Sequence, residues 1–180
     1  MLKRVFSAIL VAGLTAGCVD KDGIYANPPQ ALIDQIEQLL PAAKKFVLEN
    51  ESEAIESGVP LTEPQLTIAS NIGIKNPEKV RIYYVDKLPF PEDPELAALA
   101  KKFGYSSPFM AAYTYGYGVW VKRSSKNDRE LLAHELIHVR QAEQMGVREQ
   151  TKQYLMQLYI YGYQNAPMEL EAYREASIYR

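Results

Sequence analysis

Asp128-Arg129-Glu130-Leu131-Leu132-Ala133-His134-Glu135-Leu136-Ile137-His138-Val139-Arg140-Gln141-Ala142-Glu143-Gln144-Met145-Gly146 is the stretch from which the rest of the chain is best read. Asp128 suits a helix N-cap and Gly146 a helix stop, so the segment predicts one helix over about 128–145. Leu131, Leu132, Ala133, Leu136, Ile137 and Val139 make it apolar nearly all round, as in a helix buried within a core. Within that apolar surface lie His134, Glu135 and His138. On a helix, positions i and i+4 share a face, so the two imidazoles can offer nitrogens to one ion at about 2.0 Å each. Left unpartnered there, each polar group would cost on the order of 1–3 kcal/mol. The chain's only two histidines both stand in this pentapeptide.

His134-Glu135-Leu136-Ile137-His138 has the HExxH form, in which the glutamate beside the first histidine reaches a water held on the ion. A bound divalent ion lowers the pKa of such a water toward about 7, so a carboxylate can take its proton near neutrality. The expected roles are therefore His134 and His138 as metal ligands and Glu135 as general base. A catalytic site also needs a third protein ligand and an open position. No other histidine exists and the single cysteine, Cys18, lies near the N-terminus, so the third ligand is expected to be a carboxylate. Downstream, Met168, Ala172, Tyr173, Ala176 and Tyr179 form an apolar stripe at about 100° per residue, with Glu169 within roughly 40° of its centre and Glu171 far to one side. Glu169 is preferred, with Glu171 as the alternative. Zn2+ is the ion expected for two imidazoles, one carboxylate and an open position.

These residues carry a family resemblance. HELIH at 134–138, followed by a helix with Glu169-Leu170-Glu171-Ala172, resembles the short zincins of the gluzincin type over about Tyr113–Tyr179. The resemblance implies a zinc metallopeptidase, a hydrolase of peptide or protein substrates, in which the first glutamate of the downstream segment completes the metal site. It implies that a polar residue one turn later braces a ligand histidine; here that place is held by Tyr173, whose phenol could donate a hydrogen bond. It also implies that the strand before the active-site helix, Tyr117–Arg123, pairs with an extended substrate. Tyr154, Tyr161, Tyr163 and Arg140 are candidates to stabilise the oxyanion.

The N-terminus has the form of a leader: Lys3 and Arg4, an apolar run from Val5 to Leu14, then small residues. Leu14-Thr15-Ala16-Gly17-Cys18 resembles the lipobox of bacterial lipoproteins, with Thr15 where leucine usually stands. The expected division is a signal peptide over 1–17, a lipidated Cys18 with a tether over 18–29, and one zincin-like domain over 30–180. The resemblance implies a lipid anchor in the cell envelope, on the outer membrane and facing the periplasm. With one cysteine there is no internal disulfide, and a formal charge of −2 gives no electrostatic reason to expect nucleic acid.

Elsewhere the pattern predicts a helix pair or one kinked helix over 30–50 around Pro41, a helix over 62–73 opened by the capping box Thr62-Glu63-Pro64-Gln65, and a strand over 80–85. A helix over 93–104 follows, then strands over 109–115 and 117–123 forming a hairpin at Gly116, with Gly118 a possible bulge. Two further helices, over 148–161 and from Pro167 onward, complete the chain. The fold class is α+β: a predominantly helical single domain with a small sheet preceding the HExxH helix. The alternative function is a non-catalytic envelope lipoprotein that keeps a structural metal site or the bare fold and acts as a binding module.

Overall fold

The computed structural model describes residues 20–105 and 109–180. The fold is α+β and predominantly helical, built as one domain around a four-stranded sheet. The leader and Cys18 lie outside the described residues. In chain order the elements are α1 (Lys21–Ala26), α2 (Gln30–Ser57), β1 (Val59–Pro60), α3 (Glu63–Ile72), β2 (Arg81–Val85), α4 (Pro94–Lys102), β3 (Ala112–Tyr115), β4 (Gly118–Lys122), α5 (Arg129–Met145), α6 (Val147–Tyr161) and α7 (Pro167–Ala176), with short 3-10 turns between.

Several helix boundaries follow from their caps. The α5 start is fixed by the Asp128 side chain, which accepts the Leu131 N–H at 2.9 Å. Asp93 does the same for α4, and in α3 the Thr62 N–H donates to Gln65 Oε1 at 2.9 Å as the capping box requires. Of the two arrangements expected around Pro41, the single helix is present: α2 runs 28 residues, past the expected end near 50 to Ser57, with Ile36, Leu39, Leu40, Ala43 and Ala54 on its buried side. Residues 20–29 are not simply a tether, because α1 packs on α6. Tyr25 and Tyr161 meet edge to face at 5.8 Å, and the Tyr161 hydroxyl donates to Asp22 at 2.7 Å.

The sheet order is β1-β2-β4-β3, with β2 and β4 parallel and both outer pairs antiparallel. The expected hairpin is present: Tyr115 pairs with Gly118, leaving Gly116-Tyr117 as a two-residue turn. Gly116 has φ of +56°, which fits the first central position of a II′ turn. Gly118 is not a bulge, since it keeps regular register with both Arg81 and Tyr115. Its lack of a side chain serves packing: a Cβ there would lie 2.7 Å from the Ala54 Cβ of α2. The Glu51 carboxylate of the same helix accepts the Tyr117 N–H at 2.9 Å, so part of the acidic run at 49–56 holds the hairpin turn instead of facing only water.

Alternation along the strands separates two packed faces. Ile82, Ala112, Val119 and Val121 face α3, α5 and α7, whereas Val85, Tyr113, Tyr115 and Trp120 join Ala54 of α2. A third cluster, with Ile36, Leu39, Leu96, Leu99 and Leu155, fills the space between α2, α4 and α6. The helix carrying the histidines is thereby clamped under one sheet face.

Because Gly118 abuts a helix with no room to retreat, Gly118→Val should destabilise the protein by about 1–3 kcal/mol in urea unfolding. A wild-type midpoint for this variant would show that the α2–β4 contact is not tight.

Candidate metal centre

His134 and His138 project from adjacent turns of α5, and α7 brings Glu169 to them. Small residues at the helix contact, Ala133, Ala172 and Ala176, allow the close approach. Glu169 lies on the same α7 stripe as Ala172 and Ala176, as the helical phase predicts. His134 is 6%, Glu135 5% and Glu169 2% exposed, so the cluster is nearly dry. His134 Nε2 and His138 Nε2 are 3.1 Å apart; Glu169 places Oε2 3.2 Å from the former and Oε1 3.5 Å from the latter.

These distances bear on what the cluster can hold. Tetrahedral nitrogen and oxygen ligands about 2.0–2.1 Å from an ion stand about 3.3–3.4 Å from one another; the two imidazole nitrogens are near this spacing, and the Glu169 carboxylate spans them with one oxygen toward each. Glu169 Oε2 is buried with no hydrogen bond, although His134 is near: the donors aim at a shared point and not at each other. The two imidazole nitrogens at 3.1 Å can share one proton as an N–H···N hydrogen bond or turn their lone pairs to one ion. Burial disfavours charge on His138, but the Glu169 carboxylate overrides it and raises the pKa to about 9. Burial also opposes the Glu169 charge, yet His138 and His134 hold the carboxyl well below its usual range. His134, His138 and Glu169 together form a buried cluster able to bind a metal ion.

The alternative ligand, Glu171, points elsewhere. Its Oε1 accepts from Arg140 at 2.5 Å and its Oε2 from the Gln141 amide at 2.8 Å. Gln141 Oε1 in turn lies 2.8 Å from His138 Nδ1. A proton on Nδ1 satisfies that contact and leaves Nε2 free to ligate. Arg140 also bonds Glu175 and the Ile72 carbonyl, so this oxyanion candidate is occupied in holding α5, α7 and the end of α3 together. The brace on His138 is therefore Gln141, a residue the sequence reading missed. Its signal was present: Gln141 sits two turns after His134 on the buried face of the helix, where an unpartnered amide would be costly.

Tyr173 does not brace by a hydrogen bond. Its ring lies against that of His134, with centroids 4.5 Å apart, and its hydroxyl is 3.4 Å from that of Tyr163. Of the remaining oxyanion candidates, Tyr161 is engaged with Asp22 away from the cluster. Tyr154 and Tyr163 line the same cleft as His134 and Glu135, and the Tyr154 hydroxyl donates to Glu169 Oε1 at 2.7 Å. Burial and then the nearby Glu169 charge push the Tyr154 phenol far above its ordinary pKa, so it stays a donor. Thr114 on β3, also missed, donates to Glu135 Oε2 at 2.7 Å, and Gln157 of α6 accepts the Met168 N–H at 2.9 Å, fixing the start of α7.

The strand expected to meet substrate is also corrected. β4 has β2 on one side and β3 on the other and hence no free edge. Among the described residues, β3 is the outer strand on this side. The Lys122 N–H bonds to the Ala111 carbonyl, so alternation turns the backbone groups of Ala112 and Thr114 away from β4. Two clefts, both lined by Ala112, His134 and Glu135, open along this strand.

The family model described as the eCIS core domain matches residues 97–146, which include β3, β4 and the two histidines. No curated protein and no solved structure matches the chain.

Because the Glu169 carboxylate favours a proton on His138 up to about 9, loading the metal-free protein with zinc at about pH 6, below the range where bound water ionises, should release about one proton per ion. Calorimetry in buffers of different ionisation enthalpy reads this directly. Gln141→Leu should weaken zinc binding by about 10–100-fold in chelator competition. Glu169→Ala should weaken it more than Glu171→Ala does, and the reverse order would reject Glu169 as ligand.

Proposed function

We propose that the chain is a zinc-dependent metallopeptidase of the bacterial cell envelope, with His134, His138 and Glu169 as ligands and Glu135 as general base. The observation that carries this reading is the Glu135 carboxylate. It lies in the wall of both clefts, beside a three-donor cluster and under β3, the outer strand on this side among the described residues. A structural clamp would have no use for an acid in that place.

Bound zinc would supply Lewis acidity and an attacking water of lowered pKa, about 7. Glu135 accepts that water's proton and passes it to the departing amine. The Thr114 hydroxyl holds one carboxylate oxygen of Glu135 and leaves the other for the water. An extended peptide pairs with the outward backbone groups of Ala112 and Thr114, which brings its carbonyl over the cluster. Tyr163, in the wall of the same cleft, would donate to the oxygen that gains charge, since the Tyr154 hydroxyl proton is given to Glu169. Cys18, as the lipid-carrying first residue of the mature chain, would put this site on the outer membrane facing the periplasm.

Glu135→Gln should retain about one zinc per chain by metal analysis and lose at least about 100-fold in peptide cleavage. Undiminished cleavage would sink the assignment. Intact-mass analysis of protein from membranes should show acyl chains on Cys18, and an unmodified leader would reject the anchor.

A further inference from the structure

Glu149, Gln153, Gln157 and Tyr161 recur every fourth residue along α6, so they share one face of it, and that face meets α1. Gln157 is only 4% exposed, and a buried amide needs partners at both its ends. Its Oε1 accepts the Met168 N–H at 2.9 Å, and its Nε2 donates to the Tyr25 hydroxyl of α1 at 3.0 Å. That hydroxyl donates to Gln153 Oε1 at 2.5 Å, and Gln153 Nε2 donates to the Glu149 carboxylate at 2.7 Å. A backbone N–H can only donate, which fixes the Gln157 amide, then the Tyr25 hydroxyl, then the Gln153 amide. All four bonds therefore point one way, from the start of α7 to an exposed carboxylate, and bonds aligned like this strengthen one another.

The two ends of this chain of bonds differ in kind. α7 begins at Pro167 with Ala166 as its N-cap, a residue with no side-chain oxygen, and Met168 carries the first N–H of the helix in a buried place. Gln157 supplies from α6 the acceptor that a capping side chain would otherwise give. The next residue is Glu169, whose carboxylate faces both histidines. At the other end, α1 has six residues, none of them buried. It is held where Tyr25 packs against the cluster containing Leu155 and Met156, and where Tyr161 bonds Asp22. A segment with so little buried surface opens more readily than the core does.

We propose that Tyr25 is a positioning residue of the metal centre: docked on α6, it fixes the Gln157 amide, which sets the start of α7 and so the place of Glu169. α1 thereby couples the N-terminal segment to the affinity of a site whose donors all stand on other helices. The effect on affinity rests on reading His134, His138 and Glu169 as metal ligands, whereas the chain of bonds is tested without metal. Tyr25 lines neither cleft, so any change in metal binding on altering it passes through α6 and α7.

Tyr25→Phe in the full chain removes one hydroxyl and keeps the ring. Chelator competition should show zinc held about 3–10-fold more weakly than in the wild type, a smaller loss than for Gln157→Leu. Cobalt(II) bound in place of zinc should give a shifted visible spectrum, because the carboxylate beside it has moved. In a Gln157→Leu background, Tyr25→Phe should add less than about 2-fold, since residues that act through one another are not additive. A lowered urea midpoint with wild-type affinity and cobalt spectrum makes the tyrosine a packing residue and overturns the proposal. A full independent effect in the Gln157→Leu background overturns it too.

Amide hydrogen exchange of the metal-free protein separates failure of the bond chain from failure of the metal centre. Met168 should exchange about 10-fold faster in Tyr25→Phe than in the wild type, with β2 and β4 unchanged. Faster exchange in a protein that binds neither zinc nor cobalt removes the metal reading and keeps the bond chain; unchanged exchange removes the bond chain.

Discussion

Three side chains, two imidazoles on one helix and a carboxylate on another, are held with their ring nitrogens and carboxylate oxygens 3.1–3.5 Å from one another in a nearly dry interior. Such a cluster is stable only when a positive group sits in it, because a carboxylate 2% exposed cannot be hydrated. Either a proton on His138 or a metal ion meets that need. The rest of the molecule can be understood as the scaffold that keeps the three donors from relaxing apart. α5 and α7 meet through alanines, Gln157 pins the start of α7, and the Arg140 guanidinium ties both helices to the end of α3.

The sheet has a matching role. α2 presses on its other face, where Gly118 admits Ala54 and Glu51 caps the hairpin turn. β3 lies against α5 on the opposite face, where the Thr114 hydroxyl meets the Glu135 carboxylate at 2.7 Å. Glu135 is thus oriented by a strand, whereas His134, His138 and Glu169 are oriented by helices. This division allows the proposed substrate, lying along β3, to be placed relative to the base by the strand that already holds it.

The two acids of Glu169-Leu170-Glu171 illustrate how a short spacing separates roles. Two residues apart on a helix, they diverge by about 200°, so one faces the histidines while the other meets Arg140 and Gln141 of α5. Glu171 still acts on the site, because it fixes the Gln141 amide whose oxygen lies against His138 Nδ1. The carboxylate of the cluster and the support of its neighbouring histidine therefore come from one three-residue stretch read in two directions.

Much of this was legible from the chain alone. Helix period placed His134, His138 and Glu169 on inward faces, turn and cap residues marked the helix starts and the β3–β4 hairpin, and the α+β class followed from where the strand-like runs fell. These are local properties, set by the phase of a repeating backbone and by the conformations that Asp, Pro and Gly favour. What only tertiary structure decided is nonlocal. Strand order made β3, not β4, the outer strand; the burial of α2 carried one helix through Pro41; and contacts between α5, α6 and α7 turned Gln141 and Tyr154 into supports and Tyr173 into a ring contact. Sequence spacing specifies the direction of a side chain on its own element, but which partner it meets depends on the packing of elements distant in the chain, and that packing is determined by the whole core at once.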